Sequence, residues 1–193
     1  MIATDALLSA YASGWFPMAV SPGEIRWYSP DPRGIIPLDT FHVSSRLARA
    51  LRTRAFEIRF DTSFRAVIES CAARPDEDGN WIDAEIIESY CALHEEGHAH
   101  SVESWKDGEL VGGLYGVSLG GVFFGESMFH RVTDASKVAL VALVERLRQR
   151  GYLLFDVQMK TDHTATMGAV EIPRKEYLKR VKEAVKLMGV TFA

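Results

Sequence analysis

The chain predicts an α+β fold, and three observations carry the prediction. Between residues 99 and 129 the apolar period is that of strands, with Lys-Asp-Gly and Ser-Leu-Gly-Gly turns separating three segments. On either side, residues 63–96 and 134–150 have helical spacing. The second of these helical stretches runs through Gly151 straight into an apolar run, Tyr152–Phe155, which reads as an interior strand. With 47% apolar and 25% charged residues among 193, the chain can enclose one core, or one domain with a small satellite.

In chain order, Ala6, Leu7, Ala10 and Tyr11 recur at helical spacing between Asp5 and Ala12, with Thr4 or Asp5 as N-cap, and Gly14-Trp-Phe-Pro17 ends the helix. Residues 25–38 predict two short strands joined by a Pro-rich turn. Ser44 caps a helix to about Thr53, with Leu47 and Leu51 inward and Arg46, Arg49 and Arg52 outward. A boundary placed near its end divides a small N-terminal α/β domain, 1–53, from a larger one, 54–193. In the larger part Phe56–Phe60 predicts a strand, Ser63–Ala72 a helix, residues 74–80 a loop, and Asp83 opens a helix that Gly97 ends. Strands near His100–Trp105, Leu110–Val117 and Gly121–Glu126 form an antiparallel meander, followed by the helix over 134–150, the strand ending at Gln158 and a last helix over about 174–188. That order resembles the layered N-acetyltransferase-type (GNAT-like) architecture.

Several function classes fall away on composition. No run approaches the ~18 apolar residues of a membrane span, and the N-terminus has neither basic residues before Arg26 nor an apolar signal core. Cys71 and Cys91 have no zinc-like spacing and fit reduced thiols, so the expectation is a cytoplasmic protein. The formal charge of −4 argues against a generic nucleic-acid binder, yet it is unevenly spread. Residues 44–65 and 174–186 each carry +4, whereas residues 76–109 carry −10. Such polarity suits a polyanion at one place and a cationic partner at another, and solvated helix faces explain the same counts.

The glycines between Gly112 and Gly125 lie in hairpins and lack the Lys-Ser/Thr ending of a phosphate loop. Cys91, His94, His98 and His100 are interrupted by Gly97, which favours structural roles over a metal site. More informative is the end of the last strand. Asp156 and Gln158 stand two residues apart, which predicts both side chains on one strand face, roughly 7 Å apart, with Val157 opposite. A carboxylate and an amide closing an apolar strand are costly unless something satisfies or uses them: they tie down the next loop or serve a site. Glu126 ends another apolar strand in the same way, beside Gly125 and ahead of Ser127. With Leu114, Phe123, Met128, Leu143 and Phe155 as apolar neighbours, these groups predict a small-ligand pocket. Trp15, Phe16, Trp27 and Tyr28 form either the satellite's core or faces on which a base stacks.

GWFP, WYSPDPRGIIPLD, WI at Trp81, LHEEGHAHSVE, GELVGGLYGV, FFGESMF, ASKVAL, DVQ and GAVEIPR occur in this order over nearly the whole chain. Together they resemble the leucyl/phenylalanyl-tRNA-protein transferase family. The resemblance implies transfer of Leu or Phe, and less readily Met, from aminoacyl-tRNA to the N-terminal Arg or Lys of an acceptor protein, marking it for N-degron degradation, with no metal or soluble cofactor. It implies Asp156 and Gln158 as the catalytic pair and Glu126 in the aminoacyl-adenosine site. Trp27, Tyr28 and Trp81 become the expected platform for the terminal adenosine, and Arg46, Arg49 and Arg52 the expected contacts to acceptor-stem phosphates. Thr161 stands where that family often has Asn beside the site.

Chemically, an attacking α-amine has a pKa of about 8 and a free Asp one near 3.9, so Asp156 as direct base faces a mismatch of about four units unless burial raises it. Asp156 is therefore expected to orient and polarise Gln158, which holds the amine or the tetrahedral intermediate. Two other readings stay open on the residues alone. One is an acyl-CoA-dependent N-acetyltransferase, although Thr133-Asp-Ala-Ser-Lys137 stands where that chemistry wants a glycine-rich loop. The other is a non-catalytic RNA-binding module.

Overall fold

Strand alternation and tight glycine turns between residues 99 and 130 build the scaffold on which everything else packs. The computed structural model describes residues 1–21, 23–53, 55–73 and 81–193; the loop expected over 74–80 lies outside the described residues. The chain runs α1 (Thr4–Ala12), β1 (Phe16–Ser21), β2 (Glu24–Tyr28), β3 (Arg33–Ile35), α2 (Ser45–Arg52), β4 (Glu57–Phe60), α3 (Phe64–Ala72) and α4 (Ala84–Glu95). It continues with β5 (Ala99–Lys106), β6 (Glu109–Leu119), β7 (Val122–His130), α5 (Ala135–Arg150), β8 (Leu154–Gln158), α6 (Asp162–Ala165), β9 (Val170–Ile172) and α7 (Arg174–Ala184). Ser44 Oγ accepts from the Leu47 N–H at 3.3 Å, Asp83 Oδ1 from the Ile86 N–H at 2.9 Å and Thr161 Oγ1 from the Thr164 N–H at 3.2 Å, so three of the helices start on side-chain caps.

Seven strands form one sheet in the order β4-β5-β6-β7-β8-β3-β9. Every pairing is antiparallel except β7 with β8, which run parallel because α5 carries the chain back between them. One face of the sheet, with Tyr115 and Phe124, is covered by Leu7 and Tyr11 of α1, Phe64 and Val67 of α3, Tyr90 of α4 and Tyr177 of α7. On the other face Phe123 and Phe155 pack against Leu140, Leu143 and Leu147 of α5 and against Phe192. Each such side chain taken out of water contributes roughly 1.5–3 kcal/mol, and the result is the layered α+β arrangement that the element order predicted.

The two short strands expected within residues 25–38 are present as β2 and β3, which do not pair with each other: β2 pairs with β1, and β3 leaves for the large sheet, where Ile35 lies opposite Asp156 and Gly34 opposite Glu171. The first 53 residues thus supply an interior strand to the large sheet. Among the described residues no helix is long and apolar enough to cross a membrane.

Candidate active site

The site lies where β7 and β8 part. Their parallel pairing runs through Val122, Phe123 and Phe124 opposite Leu154, Phe155 and Asp156. Just beyond, β7 bulges against β6: Ser127 lies opposite Tyr115 and Gly125 opposite Gly116, so Glu126 is the extra residue. A bulge bends its strand and re-aims the side chain it carries, and here it turns Glu126 toward the gap. Gly125 is required beside it, since a Cβ there would sit 2.9 Å from the Phe155 ring. The gap opens into a cavity of about 250 Å³ lined by Ile36, Leu114, Met128, Leu140, Leu143 and Phe155. A second lobe of about 200 Å³, bounded by Phe16, Met18 and Trp81, shares Glu126, Gln158 and Thr161 with the first.

Asp156 is fully buried at the end of β8. The equally buried Arg33 grips it with two bonds, Nε to Oδ1 at 2.9 Å and Nη2 to Oδ2 at 2.6 Å. Tyr177 adds its O–H to Oδ2 at 2.7 Å, and the Gln158 backbone N–H donates to Oδ1 at 2.8 Å. Arg33 in turn donates to the Gly14 carbonyl at 3.0 Å and lies over the rings of Tyr177 and Phe16. Its pKa is raised: burial alone would lower it, and the bond to Asp156 together with the charges of Asp156, Tyr177 and Glu126 outweighs that. Burial, and after it the neighbouring carboxyl groups of Asp156 and Glu126, hold the Tyr177 phenol well above its ordinary pKa, so it stays a donor.

Strand alternation does not continue to Gln158, which corrects the expectation that both side chains share a face. Its φ is +57°, and the Met159 N–H donates to the Val157 carbonyl at 2.7 Å, so Gln158 sits at the centre of a three-residue turn. Asp156 faces the covered side of the sheet while the Gln158 amide swings into the cleft and donates to Glu126 Oε1 at 3.2 Å. Asp156 thus holds Gln158 through its backbone. Gly34 lets the turn pack down: a Cβ at Gly34 would stand 2.7 Å from the Lys160 nitrogen.

Glu126 keeps some surface toward the cleft, but its carboxyl is otherwise enclosed. Desolvation pushes its pKa up to about 8; the Tyr11 hydroxyl opposes the rise, nearby Asp156 adds to it, and Arg33 and the Tyr90 hydroxyl lower it again. Tyr90 points its O–H at Glu126 Oε2 from 3.5 Å and is itself hydrogen-bonded to Tyr11. Burial raises both phenols well above their ordinary pKa, so they remain protonated.

Among the residues expected in the site, Glu126, Ser127, Gln158, Trp81, Thr161, Leu114, Met128, Leu143 and Phe155 line the cleft. Phe123 does not; it packs in the core against Phe155 and Phe192. Trp27 and Tyr28 lie exposed on the β1–β2 hairpin, outside the lining of either lobe. Arg46, Arg49 and Arg52 are exposed on α2, with Arg46 within 3.5 Å of Asp134. Missing from the sequence reading were Arg33, Tyr177, Tyr11 and Tyr90, and Ile36, Leu140 and His163 in the lining. Arg33 had one signal, a lone cation between Pro32 and the apolar Gly34-Ile-Ile. His163 contributes a buried Nε2 with no hydrogen-bond partner, and burial followed by nearby Lys137 and His130 lowers its pKa.

Comparison with known proteins agrees over most of the length. A family model described as Leucyl/phenylalanyl-tRNA protein transferase matches residues 35–182, and one for the N-terminal domain of that enzyme matches residues 1–31. A leucyl/phenylalanyl-tRNA–protein transferase of Gloeobacter violaceus is 56% identical over 95% of this chain and 94% of its own. One from Herpetosiphon aurantiacus is 58% identical over 93% of each. Among solved structures, L-PGS from Bacillus licheniformis is 15% identical at a TM-score of 0.43, over 82% of this chain and 51% of that one, so the chain spans about half its length. A GCN5-related N-acetyltransferase-like protein from Streptococcus suis is 14% identical at a TM-score of 0.36, over 88% of this chain and 64% of that one. Matched at this identity over nearly its full length, the chain belongs to the leucyl/phenylalanyl-tRNA–protein transferase family.

Proposed function

We propose that this aminoacyltransferase moves a leucyl or phenylalanyl group, and less readily a methionyl group, from aminoacyl-tRNA to the N-terminal Arg or Lys of an acceptor protein, tagging it for degradation. The observation that carries the reading is the two-lobed cleft, with an apolar lobe on one side and Glu126 and Gln158 lining both lobes. The amino-acid side chain occupies the lobe of Leu114, Met128, Leu140, Leu143 and Phe155. A branch at Cβ would add a methyl group beside Glu126 and Gln158, where the two lobes share their lining, so Val and Ile transfer worse than Leu; differences of one methyl group are worth about 1–3 kcal/mol. The terminal adenosine lies against Trp81 with Met18 and Phe16, and the acceptor-stem phosphates track along Arg46, Arg49 and Arg52, contacts that do not read sequence. Gln158 touches the reacting atoms, and Asp156 fixes Gln158 in place.

The test is transfer of radiolabelled Phe from Phe-tRNA to an Arg-initiated peptide by wild type, Gln158→Ala and Asp156→Asn, with Phe-tRNA binding measured in parallel. Loss of transfer by a factor of about 10² or more with binding retained is expected for Gln158→Ala. Wild-type protein that binds Phe-tRNA and transfers nothing would overturn the reading.

A further inference from the structure

Peptide-bond formation by this route must remove a proton from the attacking nitrogen and supply one to the departing ribose oxygen, and the lone pairs of the two buried carboxylates decide which can do so. Asp156 is saturated. Its two oxygens accept four hydrogen bonds of 2.6 to 2.9 Å, from Arg33 Nε and Nη2, from Tyr177 and from the Gln158 backbone N–H, which is the full capacity of a carboxylate. It is also without exposed surface, separated from the cleft by the turn it stabilises. Glu126 is the opposite case. It borders both lobes of the cleft and has fewer partners: Gln158 Nε2 at 3.2 Å and the Tyr90 hydroxyl at 3.5 Å are long contacts, and the Tyr11 hydroxyl is the third. The bulge that makes it the extra residue of β7 is what brings it there.

We propose that Glu126, and not Asp156, takes the proton from the attacking α-amine and delivers it to the leaving ribose oxygen, with Gln158 holding the nitrogen between them. This rests on the aminoacyl-transfer reading and deepens it. The acceptor enters as the free amine, its first proton already lost to solvent. As the N–C bond forms at the ester carbonyl and the C–O bond to ribose breaks, the second proton passes from nitrogen to the Glu126 carboxylate and from there to the ribose oxygen. The carboxylate is regenerated, and no other reagent is consumed. The groups that face Glu126 agree with such a role: Tyr11 from α1 and Tyr90 from α4 stay protonated, Arg33 from β3 supplies positive potential, and Asp156 from β8 and the neutral Tyr177 from α7 lie behind it. Burial leaves the carboxyl titrating at about 8, matched to the amine's own value of about 8.

The experiment is a single-turnover pH profile of Phe transfer to an Arg-initiated peptide, from pH 6 to 9, for wild type, Glu126→Gln and Glu126→Asp, with Phe-tRNA dissociation constants and melting curves alongside. Below pH 7 the logarithm of the wild-type rate is expected to rise with a slope of about 2, one from the amine and one from Glu126. Glu126→Gln should bind Phe-tRNA within about threefold of wild type, lose about 10²–10⁴ in rate, and follow the amine alone with a slope of about 1. Glu126→Asp should keep the steeper slope at a reduced rate. A slope of 1 in the wild type overturns the proposal whether or not the variants fold, and so does a Glu126→Gln profile parallel to wild type, the mark of a purely structural residue. Wild-type protein that transfers nothing would instead count against the function itself.

Discussion

A glutamine at a φ of +57° is held where only glycine sits without strain, at a cost of about 1–3 kcal/mol. The Arg33–Asp156–Tyr177 cluster stabilises that turn, and its parts should be unequal. Arg33→Met strands a buried carboxylate and is expected to cost about 3–5 kcal/mol in urea denaturation. Tyr177→Phe removes one donor and should cost about 1–2 kcal/mol; equal losses from the two substitutions would contradict the assignment of Arg33 as the main partner. Glu126 acts on stability in the other direction. Its folded pKa of about 8 lies above the ordinary 4.5, so the folded state keeps a proton that the unfolded chain releases. That stabilisation is complete below pH 4.5 and is lost as pH rises through 8. Glu126→Gln cannot lose a proton, so the difference in unfolding free energy between it and wild type should grow in the variant's favour from pH 5 to 8, on the order of 3 kcal/mol after allowing for hydration through the cleft.

Among the elements, α2 and the sheet differ in how far the sequence discloses them. Amphipathic spacing and the Ser44 cap make α2 legible, and its exposed arginines lead to a direct test. Substituting Arg46, Arg49 and Arg52 by Gln should weaken Phe-tRNA binding and lower the slope of log affinity against log salt by about 2–3, leaving the transfer rate at saturating tRNA nearly unchanged. An unaltered salt slope would place the acceptor stem elsewhere. The meander, α5 and β8 are equally legible, because each carries its own periodicity over many residues. Two pieces are not: the three-residue β9 and the four-residue α6 are too short to hold a pattern. The strand β3 is legible but its partners, far along the chain, are not: Ile35 pairs with Asp156 and with Val170. For the same reason the sequence points to Asp156 but not to Arg33, which reaches it across 123 positions. The apolar pocket is legible from residue types near Glu126, whereas of the platform expected from Trp27, Tyr28 and Trp81 only Trp81 lines the cleft, beside Phe16 and Met18. Aromatic content does not say which face of a hairpin turns inward.

For the whole molecule, the first 31 residues pack into the same core as the rest. Leu7 and Tyr11 are buried against the sheet, and the Gly14 carbonyl and the Phe16 ring complete the surroundings of Arg33. A chain lacking residues 1–31 should lose its near-ultraviolet signal and its cooperative heat-absorption peak; cooperative melting close to that of the full chain would show that the larger part folds alone.

The insertion of β3 between β8 and β9 also governs timing. A strand made early in synthesis must wait, solvated and unpaired, for two strands made near the end, since neither Gln158 nor Val170 has left the ribosome when Arg33 emerges. Domains build from the N-terminus during translation as far as their contacts allow, and here the contacts that assemble the reaction centre are the most distant. A half-made chain, surrounded by charged tRNA at the site of its own synthesis, thus has no competent centre with which to misuse it.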